Sequence, residues 1–129
     1  MAKTAKQMVI EANALIPAIT PQEAHARLAT GAAILLDVRE PTEWETHIPG
    51  CIQIPRGILE AKADPTSPRH DPALDPGKQV IVYCRSGARS VLAAVTLSEL
   101  GFSDVLNMTG GITAWKADGL PTADAHADI

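Results

Sequence analysis

Short, mainly apolar runs occur at intervals along the chain. They cover 33–38, 52–54, 80–83 and 105–106. Each run is too short for a helix and is bounded by polar or turn-forming residues, so each predicts a β-strand. The run over 33–38 shows no regular alternation of polar and apolar residues, which is typical of a strand buried on both faces.

Between these runs, apolar residues recur at helical spacing. The spacing predicts an amphipathic helix over 4–15, with Thr4 as a candidate N-cap. A capping box at Thr20 opens a second helix, which should stop near Gly31. Further helices are predicted over 41–46, 89–100 and 112–117.

The alternation of strands and helices indicates an α/β protein. Such chains form a parallel sheet with helices on both faces. The proline-rich segment 56–78 interrupts the pattern and predicts loops, with one helical turn near Leu59. In parallel sheets, functional sites form where the end of a strand leads into the start of a helix, so we expect the site at such a junction.

Composition and charge argue against several classes of function. The 129 residues suffice for one domain, and a hydrophobic fraction of 46% argues against disorder. The net charge is −4 and the 11 basic residues are scattered, so no nucleic-acid partner is expected. The four histidines lie far apart in the sequence and show no paired ligand spacing, so no metal ion or other cofactor is expected.

The number of cysteines and the N-terminal segment indicate where in the cell the protein is found. Two cysteines, Cys51 and Cys84, are too few for a disulfide scaffold. Glu11 and Asn13 interrupt the first apolar stretch, and no run approaches the roughly 18 residues that cross a bilayer. We therefore expect a cytoplasmic protein with reduced thiols and no membrane partner.

The candidate chemistry lies directly after the strand at 80–83. The segment reads, in order, Cys84, Arg85, Ser86, Gly87, Ala88 and Arg89. Gly87 permits backbone angles that turn successive amide N–H groups inward, and such a nest at a helix N-terminus binds anions. The loop amides, the helix dipole and the two arginines together predict a lowered pKa for the Cys84 thiol. Such a thiolate attacks electrophilic sulfur, and the same loop would hold the persulfide anion that results.

Four segments resemble the motifs of the rhodanese family, in the same order along the chain. They are 35–39, 43–50, 84–90 and 110–115. Residues 17–121 are similar to a rhodanese domain, which leaves 1–16 as an N-terminal helical extension and 122–129 as a C-terminal tail. The resemblance implies a rhodanese-like three-layer sandwich in which helices flank a five-stranded parallel sheet.

The resemblance also implies an activity, that of a single-domain thiosulfate sulfurtransferase. Cys84 would take sulfane sulfur from thiosulfate or a persulfide donor and pass it, as a persulfide, to cyanide or a thiol. The acceptor thiol belongs either to a small molecule or to a protein. Residues 85–89 would form the anion-binding loop, and Arg56, which follows a strand end, is a further candidate for binding an anionic substrate.

Three alternatives stay open on the sequence alone. Cys84 could be an ordinary buried core cysteine, the usual role of a lone Cys. Cysteine phosphatases and arsenate reductases hold an oxyanion with a Cys-x5-Arg loop, whereas Arg89 lies at Cys84+5, so this loop is one residue short. The third alternative is a non-enzymatic binding or sulfur-relay module on a rhodanese scaffold.

Other polar residues near the motifs receive structural interpretations. Asp37 and Arg39 are expected to pair with each other or to cap loops. His47 is expected to lie in a structural turn, because a thiolate that its loop has already ionised needs no base. Ser86 and Ser90 are interpreted as loop and helix-cap groups rather than nucleophiles.

Cys51 raises the question of an internal disulfide. The resemblance places Cys51 at the start of an outer strand and Cys84 at the end of a central one, with one strand between them. Strands lie about 4.8 Å apart, so the two residues are separated by roughly 10 Å sideways. A disulfide needs Cα atoms within about 7 Å. We therefore interpret Cys51 as a small buried side chain rather than a partner of Cys84.

Overall fold

The computed structural model describes residues 2–125. Its elements are α1 (Ala5–Leu15), β1 (Ala18–Ile19), α2 (Pro21–Ala29), β2 (Ala33–Asp37), β3 (Thr46–His47), β4 (Ile52–Gln53), α3 (Leu59–Ala63), β5 (Gln79–Tyr83), α4 (Ala88–Glu99), β6 (Val105–Met108), α5 (Gly111–Ala117) and β7 (Ala123–Asp124). Short 3-10 turns cover Pro41–Glu43 and Arg56–Ile58. Within the described part of the chain, no helix is long and apolar enough to cross a membrane.

Five strands form one parallel sheet in the order β1-β6-β5-β2-β4, with β5 at its centre. Leu36 on β2 lies beside Val82 on β5, which in turn lies beside Asn107 on β6. Helices α1, α3 and α4 cover one face of the sheet, and α2 and α5 cover the other. The predicted α/β sandwich, with helices on both sides of a five-stranded parallel sheet, is therefore confirmed.

The central strand β5 shows why this sheet is buried on both faces. Val80 and Val82 belong to the apolar cluster beneath α1, α3 and α4, whereas Ile81 and Tyr83 belong to the cluster beneath α2 and α5. All four side chains are fully buried, because successive residues of a strand point to opposite faces and both faces are covered. Cys84 continues the alternation and joins the α4 side.

Side-chain caps define the starts of α1 and α2, as predicted. Thr4 and Gln7 form a capping box at α1, and Thr20 and Glu23 form one at α2. Helix α1 packs against the sheet and α4 through Ala12, which is buried. The first helix of the chain therefore contributes to the same core layer as the helix that follows Cys84.

One local prediction is wrong, and three short strands, β1, β3 and β7, are not predicted. The single helix predicted over 41–46 is wrong, because a 3-10 turn covers only Pro41–Glu43 and Thr46 begins β3. Strand β3 pairs with β7, whose residues lie far away in the sequence, so local spacing could not indicate it. Strand β1 is also absent from the prediction, since two residues are too few to show a period. The turn near Leu59 is confirmed as α3.

Candidate active site

The loop between β5 and α4 lies at the carboxyl edge of the parallel sheet, where Cys84 follows the central strand. Gly87 is the N-cap of α4 and has a φ of 110°, in the left-handed region that glycine adopts readily. This turn brings the backbone of Gly87 back toward Cys84, which is only 1% exposed. A buried sulfur therefore faces the first turn of a helix, where amide N–H groups lack helical partners.

Four polar groups form a closed ring of hydrogen bonds that includes the sulfur. The Gly87 N–H donates to Cys84 Sγ over 3.1 Å, and Sγ lies 3.3 Å from Ser90 Oγ. The Ser90 hydroxyl donates to Asn107 Oδ1 over 2.7 Å. Asn107 Nδ2 closes the ring by donating to the Gly87 carbonyl over 3.2 Å. Cys84, Ser90 and Asn107 are all buried, so this ring is largely shielded from water.

The pKa of the Cys84 thiol lies below its ordinary value. Burial is the largest influence and raises the pKa, because it disfavours the charged form. The Ser90 hydroxyl and the backbone amides of Ser90, Gly87 and Ser86 together lower the pKa by more than burial raises it. The loop therefore favours a reactive thiolate in a buried place.

The two arginines of the loop have different surroundings. Arg89 forms a two-point ion pair with Glu43, with N–O distances of 2.7 and 3.0 Å, and its hydrogen bonds lower the pKa of Glu43 to about 2. Arg85 is exposed, and its carbonyl accepts a hydrogen bond from the Thr113 N–H over 3.2 Å. The hydroxyl of Ser90 and the loop amides, rather than the arginines, are thus the main groups that lower the thiol pKa.

The structure does not bring Arg56 to this loop. Its guanidinium donates to Glu60 Oε1 and to Thr96 Oγ1, each over 3.0 Å. Thr96 lies eight residues beyond Ala88, the first residue of α4, which corresponds to about 12 Å along the helix. Arg56 therefore lines a groove between α1 and α4, away from the turn that holds Cys84.

The residues at the end of β2 form a structural network on the other face of the sheet. Arg39 pairs with Asp37 over 2.9 Å, as expected from the sequence, and the Tyr83 hydroxyl donates to Asp37 over 2.7 Å. His47 Nδ1 lies 3.1 Å from the Trp44 carbonyl. These groups fix the ends of β2 and β5 relative to each other, and none of them hydrogen-bonds to the Cys84 sulfur.

The start of α5 holds the Cys84 loop from the side. The Ile112 N–H donates to the Cys84 carbonyl over 2.9 Å. A Cβ added at Gly111 would lie 2.4 Å from the Cys84 carbonyl oxygen and 2.5 Å from that of Arg85, far inside contact distance. Gly111 also has a φ of 58°. Only glycine therefore lets the two backbones approach this closely.

The sequence alone indicates no role at the site for three residues of this arrangement: Glu43, Asn107 and Gly111. For Ser90 it indicates only a loop or helix-cap group. One sequence signal was available, because Asn107 interrupts the apolar strand Val105–Met108, and a polar residue in a buried strand normally has a specific partner. The Glu43–Arg89 pair joins positions 46 apart and carried no such signal.

An open cleft of about 290 Å³ lies next to the loop. Ser86 and Gly87 form one wall, and Thr109 belongs to the turn before α5. Helix α1 contributes Val9 and Asn13 to the lining. The first helix of the chain therefore shapes the space beside the loop as well as the core.

Fold and loop together define an α/β protein that holds a cysteine sulfur at the start of a helix. The family model for the rhodanese-like domain matches residues 20–118, and the chain belongs to that family. Helix α1 precedes the matched region.

Relatives and solved structures agree with this assignment. A sulfurtransferase from Allochromatium vinosum is 35% identical over 109 residues, which cover 83% of this chain and 94% of the relative. The probable adenylyltransferase/sulfurtransferase MoeZ of Mycobacterium tuberculosis is 34% identical over 99 residues, 75% of this chain but 24% of MoeZ. The chain thus spans about a quarter of the length of that relative.

A solved structure from Rhodopseudomonas palustris resembles nearly the whole chain. It has a TM-score of 0.88 and 35% identity and covers 95% of this chain and 96% of its own. That protein is described as one of unknown function and a possible tyrosine phosphatase. The family assignment and the sulfurtransferase relatives support sulfur transfer as the general class of chemistry.

Proposed function

We propose that the protein is a sulfurtransferase that carries sulfane sulfur on Cys84 as a persulfide, with thiosulfate or a persulfide as donor. The observation behind the proposal is the hydrogen bond from the Gly87 N–H to Cys84 Sγ, inside a loop that lowers the pKa of that thiol. A loop of amide donors that stabilises a thiolate would also stabilise the negative outer sulfur of a persulfide.

Two displacements complete the proposed cycle. The Cys84 thiolate attacks the outer sulfur of thiosulfate, a new S–S bond forms, and sulfite leaves with the electron pair of the old S–S bond. Cyanide then attacks the outer sulfur of the persulfide, and thiocyanate departs as the Cys84 thiolate is restored. With a thiolate acceptor, the product is the persulfide of that acceptor. The cysteine returns to its starting state, so the cycle consumes no external reductant.

The surroundings of the loop suggest how an anionic donor is attracted. Arg89 is paired with Glu43, so its charge is largely balanced. Arg85 is exposed and belongs to the loop itself, and we assign it the main role in attracting thiosulfate. The cleft beside Ser86 and Gly87 offers room for donor and acceptor next to the loop that holds the sulfur.

Loop length and charge pairing argue against a phosphatase, the description attached to the Rhodopseudomonas palustris protein. An oxyanion loop of that kind closes with an arginine six residues after the cysteine, and here Ser90 occupies that position. Ser90 is buried and hydrogen-bonded to Asn107 rather than free to hold an oxyanion. Arg89, one residue earlier, points its guanidinium at Glu43.

Intact-mass spectrometry after incubation with thiosulfate tests the proposal directly. We expect a mass increase of one sulfur atom, its removal by cyanide, and the release of thiocyanate. The Cys51→Ala protein should load in the same way, and the Cys84→Ser protein should not load. Sulfur found on Cys51, or on neither cysteine, would refute the proposal, as would efficient hydrolysis of an aryl phosphate without sulfur transfer.

A further inference from the structure

Asn107 fixes the direction of the hydrogen bonds around Cys84. A carbonyl oxygen can only accept, so the Gly87 carbonyl, at 3.2 Å, must face the amide NH₂ group of Asn107. Asn107 Oδ1 then faces Ser90, and the single proton of the Ser90 hydroxyl is donated to it over 2.7 Å. The lone pairs of Ser90 are left facing Cys84 Sγ at 3.3 Å, where a protonated sulfur acts as the donor.

A free thiolate fits this arrangement less well than the thiol does. A thiolate has no proton to donate and needs one from Ser90, whose only proton is already given to Asn107. To donate to the sulfur, the Ser90 hydroxyl must rotate away from Asn107, and Asn107 Oδ1 then has no donor. Because Asn107 is only 6% exposed, this loss is unfavourable. In a persulfide the inner sulfur is neutral, so the Ser90–Asn107 hydrogen bond can remain.

We infer that Asn107, acting through Ser90, is a positioning residue that favours the protonated and sulfur-loaded states of Cys84 over the free thiolate. The loop amides and the Ser90 hydroxyl lower the pKa of Cys84, and Asn107 limits the contribution of the hydroxyl by competing for its proton. The inference rests on the proposed function only in that Cys84 is the reacting group. It adds a reason why a loaded sulfur is retained until an acceptor arrives.

The charged groups around Cys84 do not produce this effect. Arg89 on α4 is paired with Glu43 of the nearby 3-10 turn. Asp37 and Arg39, at the end of the neighbouring strand β2, are paired with each other. Since Asn107 and Ser90 are uncharged, replacing them leaves these pairs and the net charge unchanged.

Titration of the Cys84 thiolate by ultraviolet absorbance tests the inference in the Cys51→Ala background, where one thiol remains. Asn107→Leu keeps the size of the side chain and frees the Ser90 proton, so we expect the pKa of Cys84 to fall by about one unit, a tenfold gain in thiolate. Ser90→Ala removes the hydroxyl through which Asn107 acts, so Asn107→Leu should not change the pKa in that background. The double variant should titrate like Ser90→Ala, because Asn107 acts through Ser90.

The dependence on Ser90 distinguishes this role from simple support of the loop, because a variant that only disturbs the loop would weaken the amide hydrogen bonds to the sulfur and raise the pKa whether or not Ser90 is present. A pKa that is unchanged or higher in Asn107→Leu would overturn the inference, as would a double variant that differs clearly from Ser90→Ala. Asn107→Ala repeats the test should the Leu variant not fold. Leu106→Val, on the same strand but the opposite face, is the matched control and should leave the pKa unchanged. Loading by thiosulfate is measured separately, so failure of the proposed function would show there and not in the titration.

Discussion

The two cysteines of this chain adjoin strands of the same sheet but have opposite acid–base properties. The pKa of Cys84 is lowered, since the Ser90 hydroxyl and the loop amides outweigh the effect of burial. The pKa of Cys51 is raised, because burial dominates and the charge of Asp37 adds to it, and the nearby Tyr83 hydroxyl offsets only part of the increase. The same side chain is thus a candidate nucleophile at one place and an inert thiol at the other.

Position relative to strand and helix ends explains the difference. Cys84 follows the carboxyl end of the central strand and meets the amide groups at the start of α4. Cys51 precedes the amino end of the edge strand β4 and packs on the other face of the sheet, with its sulfur 3.6 Å from the Tyr83 hydroxyl. Burial alone therefore makes a thiol unreactive, whereas burial against helix N–H groups makes it acidic.

Replacing the nucleophile should produce the largest effect. We expect Cys84→Ser to lose sulfur transfer by more than about a thousandfold, since no other thiol lies in the loop. The loop should persist, because a hydroxyl can accept the Gly87 N–H. Thiocyanate formation measures the loss, and thermal unfolding checks the fold. Substantial residual turnover in a folded variant would show that Cys84 is not the sulfur carrier.

Replacing one glycine near each cysteine with alanine should distinguish the cost of an unfavourable backbone angle from the cost of a steric collision. Gly50→Ala, beside Cys51, has a φ of 81° and no atom within 4 Å of the new Cβ, so it should cost about 1–2 kcal/mol of stability. Gly111→Ala adds a collision with the Cys84 and Arg85 carbonyls, so overpacking should cost about 1–3 kcal/mol more and displace the loop.

Chemical denaturation and thiosulfate loading measure the two glycine variants. Gly111→Ala should lose loading, and Gly50→Ala should retain it. Equal stability and equal loading in the two variants would mean that α5 does not hold the loop in the way described.

The rate of alkylation by iodoacetamide should depend on pH differently at the two thiols. Only the thiolate reacts, so the midpoint of the rate profile follows the pKa of each thiol. The midpoint for Cys84 should fall below the ordinary thiol value of about 8.5, and that for Cys51 above it. Peptide mapping separates the two sites, and the difference should vanish in denaturant. Coinciding midpoints in the folded protein would contradict the opposite pKa shifts.

The smallest effect is expected at Cys51. Cys51→Ala should leave sulfur transfer within about twofold, since its sulfur lies on the far face of the sheet from the loop. Strand β2 separates β4 from β5, so mild oxidation should form no Cys51–Cys84 bridge. Non-reducing peptide mapping of the oxidised monomer provides the check, and a linked pair would show that the two thiols approach each other in solution.

Local sequence was sufficient for the layers of the fold and for the position of the nucleophile. Mainly apolar runs identified β2, β4, β5 and β6, because strands of a sheet that helices cover on both faces are rich in apolar residues. The spacing of Cys84, Gly87 and the start of α4 indicated an anion-binding turn, because its geometry depends on neighbouring residues. Two-residue strands such as β1 and β3 are held by distant partners and had no such signal.

Only the tertiary structure decided which groups act on the sulfur. The sequence suggested both loop arginines, yet the fold pairs Arg89 with Glu43 and places Ser90 and Asn107 beside Cys84. It also directs Arg56 to the middle of α4 instead of the loop. Hydrogen bonds and ion pairs act over a few ångströms between residues far apart in the chain, so the packing of strands and helices determines them, and local spacing does not.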